Sequence, residues 1–361
     1  MNSTFSRREL LQAGGLGALA LSAAAKRAMA QAPAPVVPTF ARNSTRSAVS
    51  LMKGEDRRNN VYQALMAIDH QIAPQLKRKE YVVIKPNNVS TKTQLASTHT
   101  DALRGILDYV SERFHGPVII AESSAGNTLE GFETFGYSQL ASEYKKQRVS
   151  LLDLNTEGRY ETLPVLDHDL HLTDVRLAAR LQDPEAFVFC SAMLKTHNTV
   201  VATLSVKNMV LGAPLHQSPL ETVRWSDKRK FHVGVRQTHY NMMLTAQRLQ
   251  PFWGATVIDG FEGMEGKGPA DGTPVPSRIA IASTDYVAAD RIGVEAMGIK
   301  AENIGYLLYC WQAGVGQYDL NKIDVIGENL ASVRRTYRMS PNIDKELQWM
   351  GPMDQVPEVL G

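Results

Sequence analysis

Tyr81-Val82-Val83-Ile84-Lys85-Pro86-Asn87-Asn88 is an apolar run of strand length that ends abruptly in a cation and two amides. Pro86 has no N–H to give to a ladder, so it ends the strand and turns the chain outward just past Lys85. Outward from this stretch, strand-like apolar runs recur at residues 117–121, 149–154, 186–190, 255–258 and 279–283. Residues 61–75, 101–113, 238–249 and 286–297 carry apolar side chains at three- and four-residue spacing, the period of a helix with one buried face. Alternation of this kind predicts an α/β fold: a mainly parallel sheet with crossover helices on both faces. The length suits either one large domain or two lobes around a crevice.

In an open parallel sheet, ligands bind beyond the carboxyl ends of the strands. The polar residues that follow each apolar run are therefore the candidate site. Lys85, Asn87 and Asn88 follow the first run, and Glu122 and Ser123 follow the second. Lys195-Thr196-His197 comes after the run ending at Cys190, with Lys207, Asn208, Gly212 and His216 close behind. A lysine beside a histidine can hold a carboxylate or phosphate while the imidazole moves a proton near neutral pH. Lys195 and His197 are thus the expected catalytic pair. Lys85, Asn87, Asn88, Glu122, Ser123, Lys207, Asn208 and His232 are the expected ligand-binding set for a small anionic molecule. Each also has an ordinary use, since Asn, Ser and Thr end strands and cap helices, and a lysine at a strand end can pair with a surface acid.

Residues 259–272 hold five glycines, at 260, 263, 266, 268 and 272, together with Asp259, Glu262, Glu265 and Asp271 against the single cation Lys267. That charge balance repels phosphate and suits a hard cation, although the spacing is not that of an EF-hand loop. Glu262 and Glu265 are the candidate ligands of a divalent metal, and a tight structural or lid loop is the other reading. His232 and His239 lie seven residues apart, about 10 Å along a helix and too far for one metal ion. His232 could share a one-turn patch with Arg236 facing an anion, or simply face solvent. The histidine and cysteine spacings of a zinc site, a Walker loop, a G-x-S-x-G elbow and a G-x-G-x-x-G turn are all missing.

Three of these blocks, taken in order, resemble the domain of unknown function 362 family over about residues 81–298. They are Val83-Ile84-Lys85-Pro86-Asn87, then Lys195-Thr196-His197 running on to Lys207-Asn208 and Gly212, then Ile258-Asp259-Gly260 through Gly266-Lys267-Gly268-Pro269 to Asp285 and Asp290. The resemblance implies that Lys85, Asn87, Lys195, His197, Lys207, Asn208, His232, Glu262, Glu265 and Asp285 belong to a shared set, without giving any of them a role. Many relatives carry ferredoxin-like cysteine clusters. With only Cys190 and Cys310, an iron–sulfur centre is not expected here.

Ser6-Arg7-Arg8-Glu9-Leu10-Leu11 precedes a mild apolar stretch from residue 13 to 25 and an Ala28-Met29-Ala30 cleavage pattern. This resembles a twin-arginine signal peptide over residues 1–30, with the twin-arginine translocase as export partner and a periplasmic or otherwise extracytoplasmic destination. The stretch falls short of the roughly 20 strongly apolar residues of a membrane span. Residues 31–45 read as a Pro/Ala-rich tether and 46–361 as the α/β domain. Loss of Arg7, Arg8, Lys26 and Arg27 against Glu9 leaves 35 basic and 36 acidic side chains. So even a balance offers no footprint for nucleic acid. Cys190 closes an apolar run and reads as a buried thiol rather than half of a disulfide. The anion-binding reading competes with a non-catalytic metal- or cofactor-binding protein.

Overall fold

Val82 and Ile84 enter one core and Val83 another, as the two-residue period of a strand requires. The computed structural model describes residues 45–351. The expected signal peptide and nearly all of the tether lie outside the described residues.

The strands are β1 (Ser47–Lys53), β2 (Tyr81–Lys85), β3 (Val118–Glu122), β4 (Ser150–Asp153), β5 (Tyr160–Leu166), β6 (Leu172–Ala178), β7 (Ala186–His197), β8 (Val201–Thr203), β9 (Trp253–Glu265), β10 (Thr273–Val275), β11 (Ile279–Ser283) and β12 (Ile323–Gly327). The main helices are α1 (Arg57–Ala67), α2 (Asp69–Leu76), α3 (Thr100–Ser111), α4 (Thr128–Thr134), α5 (Ser138–Glu143), α6 (Ser205–Gly212), α7 (Val235–Leu249), α8 (Tyr286–Ala296) and α9 (Gly305–Gln312). Asp56 starts α1 by accepting the Asn59 amide at 3.0 Å. The helix expected over 61–75 is two helices, broken at Ile68.

One ten-stranded sheet runs β12-β1-β11-β9-β7-β2-β3-β4, with β8 and β10 paired to β7 and β9. It is mostly parallel, as expected. Strand β11 runs antiparallel to both β9 and β1, and the short strands β8 and β10 run antiparallel to β7 and β9. The described residues form one compact unit around this sheet, with β5 and β6 paired in a separate two-stranded hairpin. Helices α1 to α5 cover the face that carries Val82, Ile84, Phe187 and Phe189. Helices α6 to α9 and the β5–β6 hairpin cover the face that carries Val83, Val188 and Leu194. Each fully buried Val, Leu, Ile or Phe contributes roughly 1.5–3 kcal/mol to holding these layers together. Cys190 and Cys310 are buried free thiols.

From β2 the chain passes into α3 on one face, whereas from β7 it passes through β8 into α6 on the other. Neighbouring strands β2 and β7 therefore send their connections in opposite directions. A divergence of this kind opens a crevice beyond the carboxyl ends of the strands.

Candidate functional site

At that divergence lies a cavity of about 450 Å³. Strand β2 contributes Lys85, with Asn87 and Asn88 directly after it, and β3 contributes Glu122 and Ser123. Strand β7 brings His197, α6 brings Lys207 and Asn208, and His232 comes from the segment before α7. The expected ligand-binding residues thus meet in one place, together with His197 of the expected catalytic pair.

The floor is a buried ion pair. Lys85 Nζ donates to Glu122 Oε2 at 3.1 Å, to Asn208 Oδ1 at 2.9 Å and to the Pro86 carbonyl at 3.0 Å. Glu122 also accepts the amides of Asn88 and Ser123, at 3.2 and 2.8 Å. Asn87 Nδ2 donates to the same Asn208 oxygen at 3.0 Å. Lys85 is fully buried, so these partners are what make its charge tolerable there. Asn87 Oδ1 and Asn88 Nδ2, also buried at the cavity, have no partner among the described residues.

Helix α6 is positioned from a distance. Asp290 of α8 accepts the Ser205 and Val206 amides at 2.7 and 2.9 Å, closing the helix start and fixing Lys207 and Asn208 in its first turn. Burial pushes the Lys207 ammonium down to about 7, and repulsion from Lys85 adds to this. Lys207 has no hydrogen-bond acceptor among the described residues. Lys228 is pushed down to about 7, again chiefly by burial, and donates to the Leu211 and Gly212 carbonyls at 3.2 and 3.3 Å. These are orphan carbonyls at the end of α6.

His197 does not fit the proton-shuttling role expected from the sequence. Its Nδ1 accepts the amides of Thr199 and Val200, at 3.0 and 3.4 Å. The ring proton therefore sits on Nε2. Burial, and then Lys207, hold the imidazole well below its ordinary 6.5. His197 is thus a fixed neutral donor at the cavity wall. Burial and Lys207 also lower His232.

Lys195 stands apart from the cavity lining. It is fully buried, and Nζ donates to the Ala96 carbonyl at 2.6 Å and the Pro269 carbonyl at 3.3 Å. It ties two loops to β7, a structural task in place of the expected catalytic one. Strand β7 runs four residues beyond Met193, so Lys195-Thr196-His197 is strand rather than the loop after it. Likewise β9 runs through the glycine-rich stretch as far as Glu265. Glu262 lies where β9 shifts register against β7, between Asp259 and Met264, and Glu265 lies beyond it. Glu265 accepts the Arg338 amide at 2.8 Å, and Glu262 is exposed. Among the described residues no three His, Cys, Asp or Glu side chains group as metal ligands. His239 is buried away from the cavity, stacked on Tyr306, and Arg236 donates to the Trp349 and Gly351 carbonyls.

The sequence reading missed Asn198, Thr199, Ser226, Lys228, Arg229 and Pro269, all of which line the cavity. Lys228 and Arg229 belong to the charge run 227–230, which by itself looks like a solvated face. A second depression of about 500 Å³ shares Ala125, Ser226 and Arg229 with the first and adds His216, Arg224 and Trp225.

These features define a mixed α/β domain with a lysine-rich cavity at the carboxyl ends of parallel strands. The chain belongs to the family described as domain of unknown function (DUF362), whose model matches residues 82–295. No curated protein matches the sequence. A crystal structure of a protein from Thermotoga maritima, from a structural genomics consortium, aligns with 73% of this chain at 10% identity and a TM-score of 0.39. The alignment spans 60% of that protein's length. No helix among the described residues is long and apolar enough to cross a membrane.

Proposed function

We propose that this chain is an exported protein that binds a small anionic ligand, a carboxylate or phosphate, in the cavity beyond β2, β3 and β7. The observation that carries the reading is the charge imbalance of the lining. Lys85, Lys207, Lys228 and Arg229 face one carboxylate, Glu122, which is already paired with Lys85. Among the described residues Lys207 has no acceptor, and Asn88 Nδ2 and His197 Nε2 add donors that fit anion oxygens. An anion would stabilise the protonated forms of Lys207 and Lys228, so binding should take up protons near pH 7 and strengthen as pH falls from 8 to 6.

Titration calorimetry of the mature chain with inorganic phosphate, a phosphate monoester and succinate tests this. The expected result is one saturable site, weakened at least tenfold in Lys207→Met without loss of fold. Absence of saturable binding for all three, or equal affinity in the variant, would overturn it. The export half of the proposal rests on Arg7-Arg8 and the cleavage pattern after residue 30. It predicts that Arg7→Lys with Arg8→Lys removes the mature protein from the periplasmic fraction; undiminished export of the double variant counts against it.

A further inference from the structure

Lys207 differs from the other lysines around the cavity in one respect. Lys85 is held by Glu122, Asn208 and Pro86, Lys228 by two helix-end carbonyls, and Lys195 by Ala96 and Pro269. Lys207 reaches the cavity with its amine unengaged among the described residues, and the residue is only 6% exposed. An ammonium here loses water and faces Lys85. It also lies in the first turn of α6, where the helix dipole disfavours a cation. A desolvated lysine beside a second cation is the arrangement that yields a neutral, nucleophilic amine.

We propose that Lys207 is a nucleophile that forms a Schiff base with a carbonyl compound bearing an anionic group, such as a keto or aldehyde carboxylate. This deepens the anion-binding reading and rests on it. The Nζ lone pair attacks the carbonyl carbon, the C–N bond forms, and the π electron pair moves onto oxygen. The His197 Nε2–H and the Lys85 charge face that developing negative oxygen. The carbinolamine then loses its oxygen as water, which carries away both protons of the original amine, and a C=N bond remains. Addition and dehydration balance without an oxidant, a reductant or any further reactant.

The charged and titratable groups around Lys207 come from four directions. Lys85 on β2 opposes its protonation and Glu122 on β3 favours it, while His197 and Lys195 on β7 are themselves held down by the Lys207 charge. The segment before α7 adds Lys228 and His232, which also interact with it.

The mature protein is incubated with pyruvate or with glyoxylate, reduced with sodium borohydride, and mapped by peptide mass spectrometry; acetone serves as a neutral control. One adduct on Lys207 is expected from the two keto or aldehyde acids. Labelling should rise through pH 7 as the amine deprotonates, fall when phosphate competes, and vanish in Lys207→Arg. That variant keeps a cation at the position but no nucleophilic amine, and circular dichroism checks that it folds as the wild type does. Labelling spread over surface lysines, or unchanged in Lys207→Arg, overturns the proposal. A wild-type protein that binds phosphate in calorimetry yet forms no adduct also overturns it and leaves the anion-binding reading standing. A protein that does neither brings both down.

Discussion

The side-chain amine of Lys85 lies directly against the backbone of Gly212: a Cβ at that glycine would stand 2.2 Å from Lys85 Nζ. The last residue of α6 therefore has to be bare for the floor of the cavity to form. Gly212→Ala is expected to push the Lys85 amine out of its contacts with Glu122 and Asn208. Overpacking of this kind costs about 1–3 kcal/mol, and phosphate affinity should fall with it. Urea denaturation and calorimetry on the same variant measure both effects. Unchanged affinity would mean that the Lys85 arrangement does not matter for binding.

Among the described residues Glu122 is the only carboxylate lining the cavity, and it is buried. Glu122→Gln leaves Lys85 without its counter-charge, a change that typically costs about 3–5 kcal/mol. A bound anion can replace the missing charge. Phosphate should therefore raise the melting temperature of the variant more than that of the wild type, as read by thermal shift over a phosphate series. An equal shift in both proteins would sever the link between Glu122 and the ligand.

The strands that build the site were legible because each has an apolar core run: β2, β3, β4, β7, β9 and β11 all fall on expected stretches. Less apolar elements were not. Strand β5 is largely exposed and alternates little, and β1 and β12 lie at the far edge of the sheet. The reversed direction of β11 has no local signature, since direction is set by connections rather than composition. The strand ends pointed to Lys85, Glu122 and His197, but sequence could not say which lysine would reach open space. Lys195 and Lys207 look alike in sequence. They part only because β7 continues past Cys190 and turns Lys195 under Ala96 and Pro269, while α6 lifts Lys207 over the cavity.

That difference reverses the expectation for Lys195. Nothing it holds is in the cavity lining except Pro269. Lys195→Ala should leave the Ala96 and Pro269 carbonyls without a donor, each costing roughly 1–3 kcal/mol if it stays dry. A lower melting temperature is expected, with phosphate affinity within about threefold of wild type when measured well below the transition. Intact stability with abolished binding would restore Lys195 to the site.

His239 offers a pH test of the buried core behind α7. Burial pushes it down to about 3, and its Nδ1 accepts the Tyr306 amide at 3.0 Å. In the unfolded chain it would titrate near its ordinary 6.5. Below that pH the unfolded state takes up a proton that the folded state refuses, so folding loses stability as pH falls from 6.5 toward 3. The loss is about 1.4 kcal/mol per pH unit between pH 6 and 4. Asp290 and Glu346 act with the opposite sign, because burial raises both to about 7 and the folded state then holds protons the unfolded state has lost. The net curve mixes these effects, so the His239 share must be read as a difference. His239→Gln keeps an acceptor for Tyr306 but cannot titrate. The stability advantage of wild type over this variant should shrink by that slope from pH 6 to 4 in urea melts, whereas parallel curves would show that His239 is protonated in the folded protein as readily as in the unfolded one.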